Sequence, residues 1–417
     1  MAGSPTASGR GAPAASAAVW DVIIVGAGPA GSAAAIVLSG YGRRVLLLDR
    51  GGAPGFKLGE SIAPPALGLV RQFLGEPETF PDGLACFRTA GNLSVWSGAE
   101  PETTDFFFTP AGFGLCVDRL AFDEALRQRA AQAGATVLMG ARFDSCVRVS
   151  DAADAQADWQ VSVAVDGQER SCRARFLIDG SGRQAAVGRA LGVGHAKRDR
   201  LFAYARWYDS PVADEDRLTR IEAGPHGWWY SNRLHAEGAG ARRLVVFHGD
   251  QDSPVARAAA RAEGFDRVLQ DSAHLGPLLR DRGYRATGAV RGAPAHSQCL
   301  DAFCGEGWLA AGDAAQAYDP LSSQGIWKAL DTGSQAGHLV HGLLQEGRAG
   351  AGAQDGWLRR YAQGQARAWD AYRTQLDFYY GAQPRWRESL FWQRRQAGRD
   401  PEIASDGRPR VDTMTLI

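Results

Sequence analysis

Three glycines and an aspartate near the start of the chain have the spacing of a dinucleotide-binding turn. In DVIIVGAGPAGSAAAIVLSGYGRRVLLLDR, Gly26, Gly28 and Gly31 follow one apolar run, and Asp49 ends the next. Gly26 allows a tight turn, Gly28 lets the backbone approach a pyrophosphate, and Gly31 lets a helix pack closely on a strand. Asp49 stands where a carboxylate can accept hydrogen bonds from a ribose. We therefore interpret this strand, turn, helix and strand as a unit that binds a dinucleotide.

Two later loops also combine glycine with aspartate after an apolar run. DGSG begins at Asp179, and GDAAQAYDPLSSQG spans 312–325. Open α/β folds bind ligands where parallel strands end, so both loops are candidate ligand contacts. A helix that begins at Gly325 would aim backbone N–H groups at an anionic or electron-rich ligand. Asp313 is either a neighbour of that ligand or the N-cap of a helix.

Charged side chains accompany these loops. Lys57 and Glu60 lie in the glycine- and proline-rich segment GGAPGFKLGESIAPPA, which is compatible with a functional role and with a solvated loop that caps a helix. The apolar spacing predicts a helix within 116–134, with Arg119 in its first turn. A cation at the positive end of a helix needs an anionic partner. A pyrophosphate and a surface salt bridge are the two alternatives.

Aromatic residues mark the segments between these motifs. We predict strands through 84–114 and expect Phe106–Phe108 to place rings on both faces of one of them. In 201–302 we predict further strands and a charged helix around 254–279. Trp228 and its aromatic neighbours there either fill a core or line an apolar pocket. A stripe of Trp369, Tyr372, Leu376 and Tyr379 at helical spacing in the last segment is interpreted as core.

Composition narrows the class of protein. The chain has 417 residues, 45% of them apolar, and equal numbers of basic and acidic residues, 46 each, so we expect a two-lobed globular protein without nucleic-acid partners. No apolar run reaches the roughly 20 residues that span a bilayer, which predicts a cytoplasmic protein without a membrane partner. The six cysteines and eight histidines lack metal-site spacing, so reduced thiols and no metal are expected.

Together these motifs resemble the FAD-dependent monooxygenases of the aromatic-hydroxylase and tryptophan-halogenase superfamily. The glycine turn with Asp49, the helix with Arg119, DGSG and GDAAQAYDPLSSQG occur in the expected order, over nearly the whole chain after residue 20. KLGESIAPPA, DGSGRQAA, GWWYSNRL and YDPLSSQGIWKAL look most like the flavoproteins that mature tryptophylquinone (quinone-cofactor) enzymes. Related peptide-modifying flavoenzymes also act on peptide tryptophan, and the motifs do not separate the two groups.

The halogenase branch of this resemblance is disfavoured by two departures. The WxWxIP motif of halogenases falls on WWYSNR at 228–233, which keeps the first tryptophan alone. The halogenase lysine aligns with CFRTAG, where this chain has Arg88.

The resemblance implies an α/β fold, with a Rossmann-like FAD-binding domain, an inserted mixed β-sheet substrate domain and C-terminal helices. The expected division is a disordered leader (1–18), a discontinuous FAD-binding domain (19–83, 115–200 and 303–345), a substrate domain (84–114 and 201–302) and a C-terminal helical region (346–417).

It also implies roles for particular residues. Glu60, with Lys57 nearby, is the candidate for proton handling, because burial near a flavin raises a carboxyl pKa. The residues expected to line the substrate pocket are Phe107, Trp228 and Tyr230. The residues expected to contact FAD are Gly26, Gly28, Ala30, Gly31, Asp49, Arg50, Ser61, Arg119, Asp179, Gly312, Asp313, Pro320, Gly325 and Ile326.

The expected activity is FAD-dependent hydroxylation of an indole ring, by a monooxygenase that uses O2. The substrate is either a tryptophan side chain of a partner protein or peptide, or free tryptophan or another small aromatic. A flavin-bound chaperone is a third hypothesis. Electrons would come from NAD(P)H directly or through a flavin reductase, since no second complete GxGxxG unit occurs.

Overall fold

The fold is described from a computed structural model that covers residues 19–51, 56–80, 84–149, 159–236, 238, 240–346 and 351–396. Its strands are β1 (Val19–Val25), β2 (Val45–Asp49), β3 (Ser61–Ile62), β4 (Cys86–Thr89), β5 (Gly91–Val95), β6 (Glu102–Asp105), β7 (Gly114–Val117), β8 (Thr136–Met139), β9 (Ala141–Arg148), β10 (Trp159–Val165), β11 (Gln168–Asp179), β12 (His195–Lys197), β13 (Leu201–Ser210), β14 (Leu218–Gly224), β15 (Gly227–Leu234), β16 (Ala241–Asp250), β17 (Arg285–Pro294), β18 (Gln298–Leu300), β19 (Cys304–Gly305), β20 (Trp308–Ala310) and β21 (Gln316–Ala317). The predicted leader, 1–18, and the end of the C-terminal region, 397–417, lie outside the described residues.

Helices connect and cover these strands. The α-helices are α1 (Pro29–Gly40), α2 (Leu67–Leu74), α3 (Arg119–Gln132), α4 (Ala186–Ala190), α5 (Pro254–Ala259), α6 (Ala262–Gln270), α7 (Leu275–Asp281), α8 (Gly325–Glu346), α9 (Ala351–Gly381) and α10 (Leu390–Gln396). Short 3-10 helices occupy Pro64–Ala66, Pro77–Thr79, Phe106–Phe108, Gly182–Gln184, Gly312–Ala314 and Pro320–Ser322.

A parallel sheet is centred on β1. It runs in the order β20, β11, β1, β2, β8, and the antiparallel strands β9 and β10 extend it beside β11. Val22, Ile23 and Ile24 are fully buried, as expected for a strand covered on both faces. α1 and α8 pack on one face of the sheet, with Ala30 and Ala34 in their shared core. The α/β fold with a Rossmann-like FAD-binding domain and mixed sheets is confirmed.

A second, seven-stranded sheet, which we call the aromatic sheet, runs in the order β17, β13, β16, β15, β14, β5, β6. Its neighbours are antiparallel except for β14 and β5. Alternation along β15 places Trp228 in one core with Leu321 and Tyr372, and Trp229 in another with Phe265. This sheet therefore has one face towards the 3-10 turn at Pro320–Ser322 and α9, and the other towards α5–α7. A small sheet of β3, β7 and β4 lies beside it.

Two predictions of local structure are wrong. Phe106–Phe108 form a 3-10 helix instead of a strand, because the Asp105 carboxylate accepts the Phe107 N–H at 2.8 Å and turns the chain. As a result Phe107 and Phe108 are 75% and 85% exposed. The single helix expected around 254–279 is three short helices, α5, α6 and α7, with Ser253 capping the first.

Three whole-chain features can be read from the described residues. None of their helices combines the length and the apolar character needed to cross a membrane. They contain no group of three or more His, Cys, Asp or Glu arranged to hold a metal ion. All six cysteines are free thiols, and burial raises the pKa of Cys146, Cys299 and Cys304 to about 11, which keeps these thiols protonated.

Candidate FAD and substrate site

The glycine turn after β1 is fixed by two close approaches and left open at one position. Gly26 has a φ of +101°, and a Cβ there would lie 2.3 Å from the Gly180 carbonyl oxygen. A Cβ on Gly31 would lie 1.9 Å from the Gly26 carbonyl oxygen. A Cβ on Gly28 would meet nothing within 4 Å. The turn therefore needs Gly26 and Gly31 for its own packing, and leaves Gly28 clear for a ligand.

The start of α1 offers donors to an anion. Its first turn has no acidic residue, and no side chain caps it. Its free N–H groups and positive dipole end therefore suit a pyrophosphate. Asp49 lies alongside, where its two carboxylate oxygens accept the N–H groups of Ala27 at 2.9 Å and Gly51 at 3.0 Å. A carboxylate has about four lone-pair sites, so capacity remains for ribose hydroxyls. The residues present fit the adenosine diphosphate half of FAD.

Asp179 holds its own turn instead of presenting a free carboxylate. It is fully buried, and its oxygens accept the N–H groups of Ser181 at 3.0 Å, Val187 at 2.8 Å and Gly188 at 3.0 Å. Burial raises the pKa of Asp179, against these hydrogen bonds. Asp179 thus has a structural role, because the turn carries backbone donors that need this acceptor, and its predicted cofactor contact stays a prediction.

Asp313 lies in a charged cluster at the end of β20. Lys328 Nζ is 2.9 Å from its Oδ1, and Arg183 Nε is 3.9 Å from its Oδ2. Burial alone would raise the pKa of Asp313, but Lys328 and Arg183 outweigh it and lower the pKa. The alternative of a helix N-cap is not observed, since no side chain caps the 3-10 helix Gly312–Ala314. Sequence reasoning missed Lys328, although a lysine inside the apolar segment GIWKAL was a signal.

The loop that follows β20 and β21 leads into α8. A 3-10 helix begins at Pro320, and Ser323 adopts a left-handed conformation with a φ of +49°. A Cβ on Gly325, at the start of α8, would meet nothing within 4 Å. Ile326 packs with Phe122 and neighbouring residues in a separate core. This leaves the helix start open, as it is at Gly28.

Arg119 binds protein groups in the described structure, and its predicted contact with a pyrophosphate stays a prediction. It donates to the carbonyl oxygens of Leu58 at 2.7 Å and Gly59 at 3.2 Å, and it pairs with Asp123 at 3.3 Å. Lys57 binds the other oxygen of Asp123 at 2.7 Å. Asp123 is almost fully buried, so its charge needs these cations as partners. Arg119 therefore anchors the segment that leads to Glu60, and Lys57 is held by Asp123.

Glu60 is a buried carboxyl at the junction of two lobes, one built on the parallel sheet and the other on the seven-stranded sheet. It is 3% exposed, directly before β3, and its Oε2 accepts the Gly59 N–H at 3.0 Å. Burial raises its pKa, while Tyr230 and Arg119 lower it. The raised pKa favours the protonated acid, which can donate a proton. Ser61, its neighbour, pairs with Cys116 across the small sheet.

Polar side chains of β15 face Glu60. Tyr230 interacts electrostatically with both Glu60 and Asn232, and burial raises its pKa well above the usual value. The Tyr230 hydroxyl lies near Glu60 and Asn232, but Glu60 Oε1, Tyr230 Oη and the Asn232 amide have no hydrogen bond of ordinary geometry to a described residue. Buried polar atoms of this kind are normally satisfied, so the cluster suits a ligand or a proton path. Asn232 belongs to the WWYSNR segment that departs from the halogenase motif, but its place beside Tyr230 was not predicted.

The other predicted pocket residues lie elsewhere. Trp228 is 1% exposed and stacks on His248 with ring centroids 3.7 Å apart. Burial lowers the pKa of His248 to about 3, which keeps this ring neutral. Phe107 is on the surface. Tyr230 is thus the member of the predicted trio that the structure brings to Glu60. Arg50, next to Asp49, lies against the Gln184 amide.

Comparison with known proteins agrees with this arrangement. Residues 21–203 match the sequence profile of the family described as FAD dependent oxidoreductase. The chain is 29% identical over 382 residues to the putative FAD-dependent oxidoreductase LodB of Marinomonas mediterranea, which covers 91% of this chain and 97% of LodB.

Solved structures share the fold. The myxobacterial chondrochloren halogenase CndH superposes with a TM-score of 0.78 at 22% identity, over 93% of this chain and 88% of CndH. The peptidyl tryptophan dihydroxylase QhpG, essential for tryptophylquinone cofactor biogenesis, superposes with a TM-score of 0.68 at 24% identity, over 92% of this chain and 80% of QhpG. At these identities the likeness is one of fold.

Proposed function

We propose that the protein is a FAD-dependent monooxygenase that hydroxylates the indole ring of a tryptophan side chain in a partner protein or peptide. The observation that carries this proposal is the buried Glu60 facing Tyr230, between the lobe with the dinucleotide turn and the aromatic sheet, where burial raises the pKa of the Glu60 carboxyl. The family match supports FAD, and the fold shared with a peptidyl tryptophan dihydroxylase supports the substrate class.

The protein's own residues would bind the cofactor and manage protons. Bound FAD, once reduced, would supply the oxygen chemistry with O2. The α1 N-terminus with Gly28 would bind the pyrophosphate, and Asp49 the ribose. The open start of α8 at Gly325 would approach the flavin end. Asp313, held by Lys328, would accept hydrogen bonds from the ribityl chain of FAD.

Glu60 would act at the reacting centre. As a protonated acid it can donate a proton from its carboxyl oxygen when oxygen is transferred, and take one back when the ring loses its hydrogen. Leu58 and the aromatic core beside it would help to exclude water. The electron donor in this proposal is NAD(P)H, used directly or through a flavin reductase.

The test is a reconstituted reaction. The purified protein is mixed with FAD, a reductant, O2 and tryptophan-containing peptides, in parallel with free tryptophan and with added chloride or bromide. We expect peptides to gain one or two oxygen atoms at tryptophan, located by tandem mass spectrometry. Oxidation of free aromatics alone would contradict the peptide substrate, and halogenated tryptophan would contradict hydroxylation.

A further inference from the structure

A buried chain of hydrogen bonds joins the aromatic sheet to the loop before α8. The Trp228 indole N–H on β15 donates to Tyr380 Oη at 3.1 Å, and Tyr380 Oη donates to Asp319 Oδ2 at 2.8 Å. The other Asp319 oxygen accepts the Leu321 N–H at 2.9 Å. Trp228, Tyr380 and Asp319 are each 2% exposed or less. The chain is therefore shielded from competing water, which strengthens each bond.

Asp319 is held on its backbone side as well. Its N–H donates to Tyr372 Oη at 2.7 Å, and that hydroxyl lies 2.7 Å from Ser297 Oγ. Tyr372 and Tyr380 both belong to α9, so one helix grips Asp319 from two sides. Asp319 directly precedes the 3-10 turn at Pro320–Ser322, and this turn leads to the open start of α8 at Gly325.

The same helix is bonded to both lobes along its length. Tyr361 Oη donates to the Ala310 carbonyl oxygen of β20 at 2.7 Å. Near the other end of α9, the Tyr379 carbonyl oxygen accepts the Trp96 indole N–H at 2.7 Å. α9 is thus placed to transmit the position of the aromatic sheet to the loop before α8, because hydrogen bonds join α9 to both.

We propose that Asp319 and Tyr380 are positioning residues that lock the 320–325 loop to the aromatic sheet and so set the flavin end of the site. This deepens the proposed function and rests on its assignment of that loop to FAD. The role goes beyond packing, since the bonds end on the loop's own backbone N–H. Removing one link frees the loop without emptying the core.

The variants are chosen to separate positioning from stability. Tyr380→Phe removes the central hydroxyl, and Asp319→Ala removes both acceptors. Asp319→Asn keeps an oxygen that accepts the Leu321 N–H, and its amide N–H can donate to Tyr380 Oη, so the link persists with its direction reversed. Burial, with a contribution from Asp199, raises the pKa of Asp319 to about 7, so a neutral amide is a close substitute near neutral pH. Tyr361→Phe is the matched control, a buried hydroxyl on the same helix whose bond ends on β20.

The measurements are FAD affinity of the apoprotein and the visible absorption bands of bound FAD. We expect Tyr380→Phe and Asp319→Ala to weaken FAD binding about tenfold and to shift the flavin bands, while Asp319→Asn and Tyr361→Phe stay close to wild type. The double variant, which combines Tyr380→Phe with Asp319→Ala, should bind FAD no more weakly than Asp319→Ala alone, because both changes break the same chain of hydrogen bonds.

Two results would overturn the proposal. One is a Tyr380→Phe protein whose FAD affinity and spectrum match those of Tyr361→Phe. The other is a double variant in which the two losses multiply. These readouts do not depend on hydroxylation, so shifted flavin bands without tryptophan oxidation would refute the proposed function and leave the positioning role intact. Hydroxylation of tryptophan with unshifted flavin bands in the variants would support the proposed function and refute the positioning role.

Discussion

At the scale of single residues, the site depends on how burial changes the charge of a few groups. The Glu60 carboxyl precedes β3 and the Asp313 carboxyl follows β20, yet burial raises the pKa of the first and Lys328 with Arg183 lowers the pKa of the second. Groups whose environments separate their pKa values take different chemical tasks. Glu60 is suited to proton transfer and Asp313 to binding hydroxyl groups as a permanent anion.

Replacing Glu60 with Gln tests its role as an acid. Glutamine keeps an oxygen for the Gly59 N–H but has no proton to give, so we expect the hydroxylation rate to fall about 100-fold with FAD binding unchanged. In the wild type the rate should decline as pH rises through the raised pKa of Glu60, because the acid form is lost. That decline should be missing from the Glu60→Gln profile and present in Glu78→Gln, an exposed control.

A Tyr230→Phe change should move this pH dependence in a defined direction. The Tyr230 hydroxyl lowers the pKa of Glu60, so its removal raises that pKa and shifts the decline of the rate to higher pH. Tyr204→Phe is the control, since Tyr204 is buried in the core on the α5–α7 side of the same sheet. Rate profiles measured against pH would refute the assignment if Tyr230→Phe left the decline in place or moved it to lower pH.

At the scale of elements, the glycine turn could be predicted because its demands are local. Gly26 and Gly31 meet backbone atoms a few residues away or on the adjacent strand, and such spacing is visible in sequence. Phe106–Phe108 were misjudged because Asp105 overrides a strong strand propensity by capping a turn. The partners of Arg119 were also missed, since Leu58 and Gly59 are some 60 positions away and meet it through tertiary packing.

Three alanine substitutions separate packing from binding in this element. Gly31→Ala forces a Cβ into the Gly26 carbonyl and should destabilise the fold by about 1–3 kcal/mol. Gly28→Ala has room in the protein and should lose about 1 kcal/mol or less as a changed helix cap, but it should weaken FAD binding at least about tenfold. FAD titration and thermal unfolding give the two quantities.

Gly40→Ala, at the other end of α1, is the control for both. A Cβ there also meets nothing within 4 Å, and the position is far from the turn, so stability and FAD affinity should both be kept. If Gly28→Ala bound FAD as well as Gly40→Ala does, the pyrophosphate could not lie against the start of α1.

At the scale of the whole molecule, the order of the motifs along the sequence predicts the lobe built on the parallel sheet but not how the two lobes are joined. The motifs with Asp49 and Asp313 follow β2 and β20 of one parallel sheet, so their position at the same edge could be predicted from the rule that parallel strands end together. The Tyr380 and Asp319 contact links residues 61 positions apart through a helix that the pattern assigned to core packing. The stripe prediction for Tyr372 and Leu376 agrees with their burial, but periodicity does not show which buried hydroxyl meets which acceptor.

This joining predicts that the lobes unfold together. The core on the α9 side of the aromatic sheet includes Trp228 of β15, Leu321 of the loop before α8 and Tyr372 of α9. Opening either lobe therefore exposes apolar surface of the other. FAD at about a hundredfold its Kd should therefore raise the free energy of unfolding by ~2.7 kcal/mol for the whole chain. Denaturant curves followed by tryptophan fluorescence, to which tryptophans of both sheets contribute, and by far-UV circular dichroism should shift equally and coincide. A separate fluorescence transition that ignores FAD would show that the aromatic sheet unfolds independently, and the α9 contacts would then be too weak to couple the two lobes.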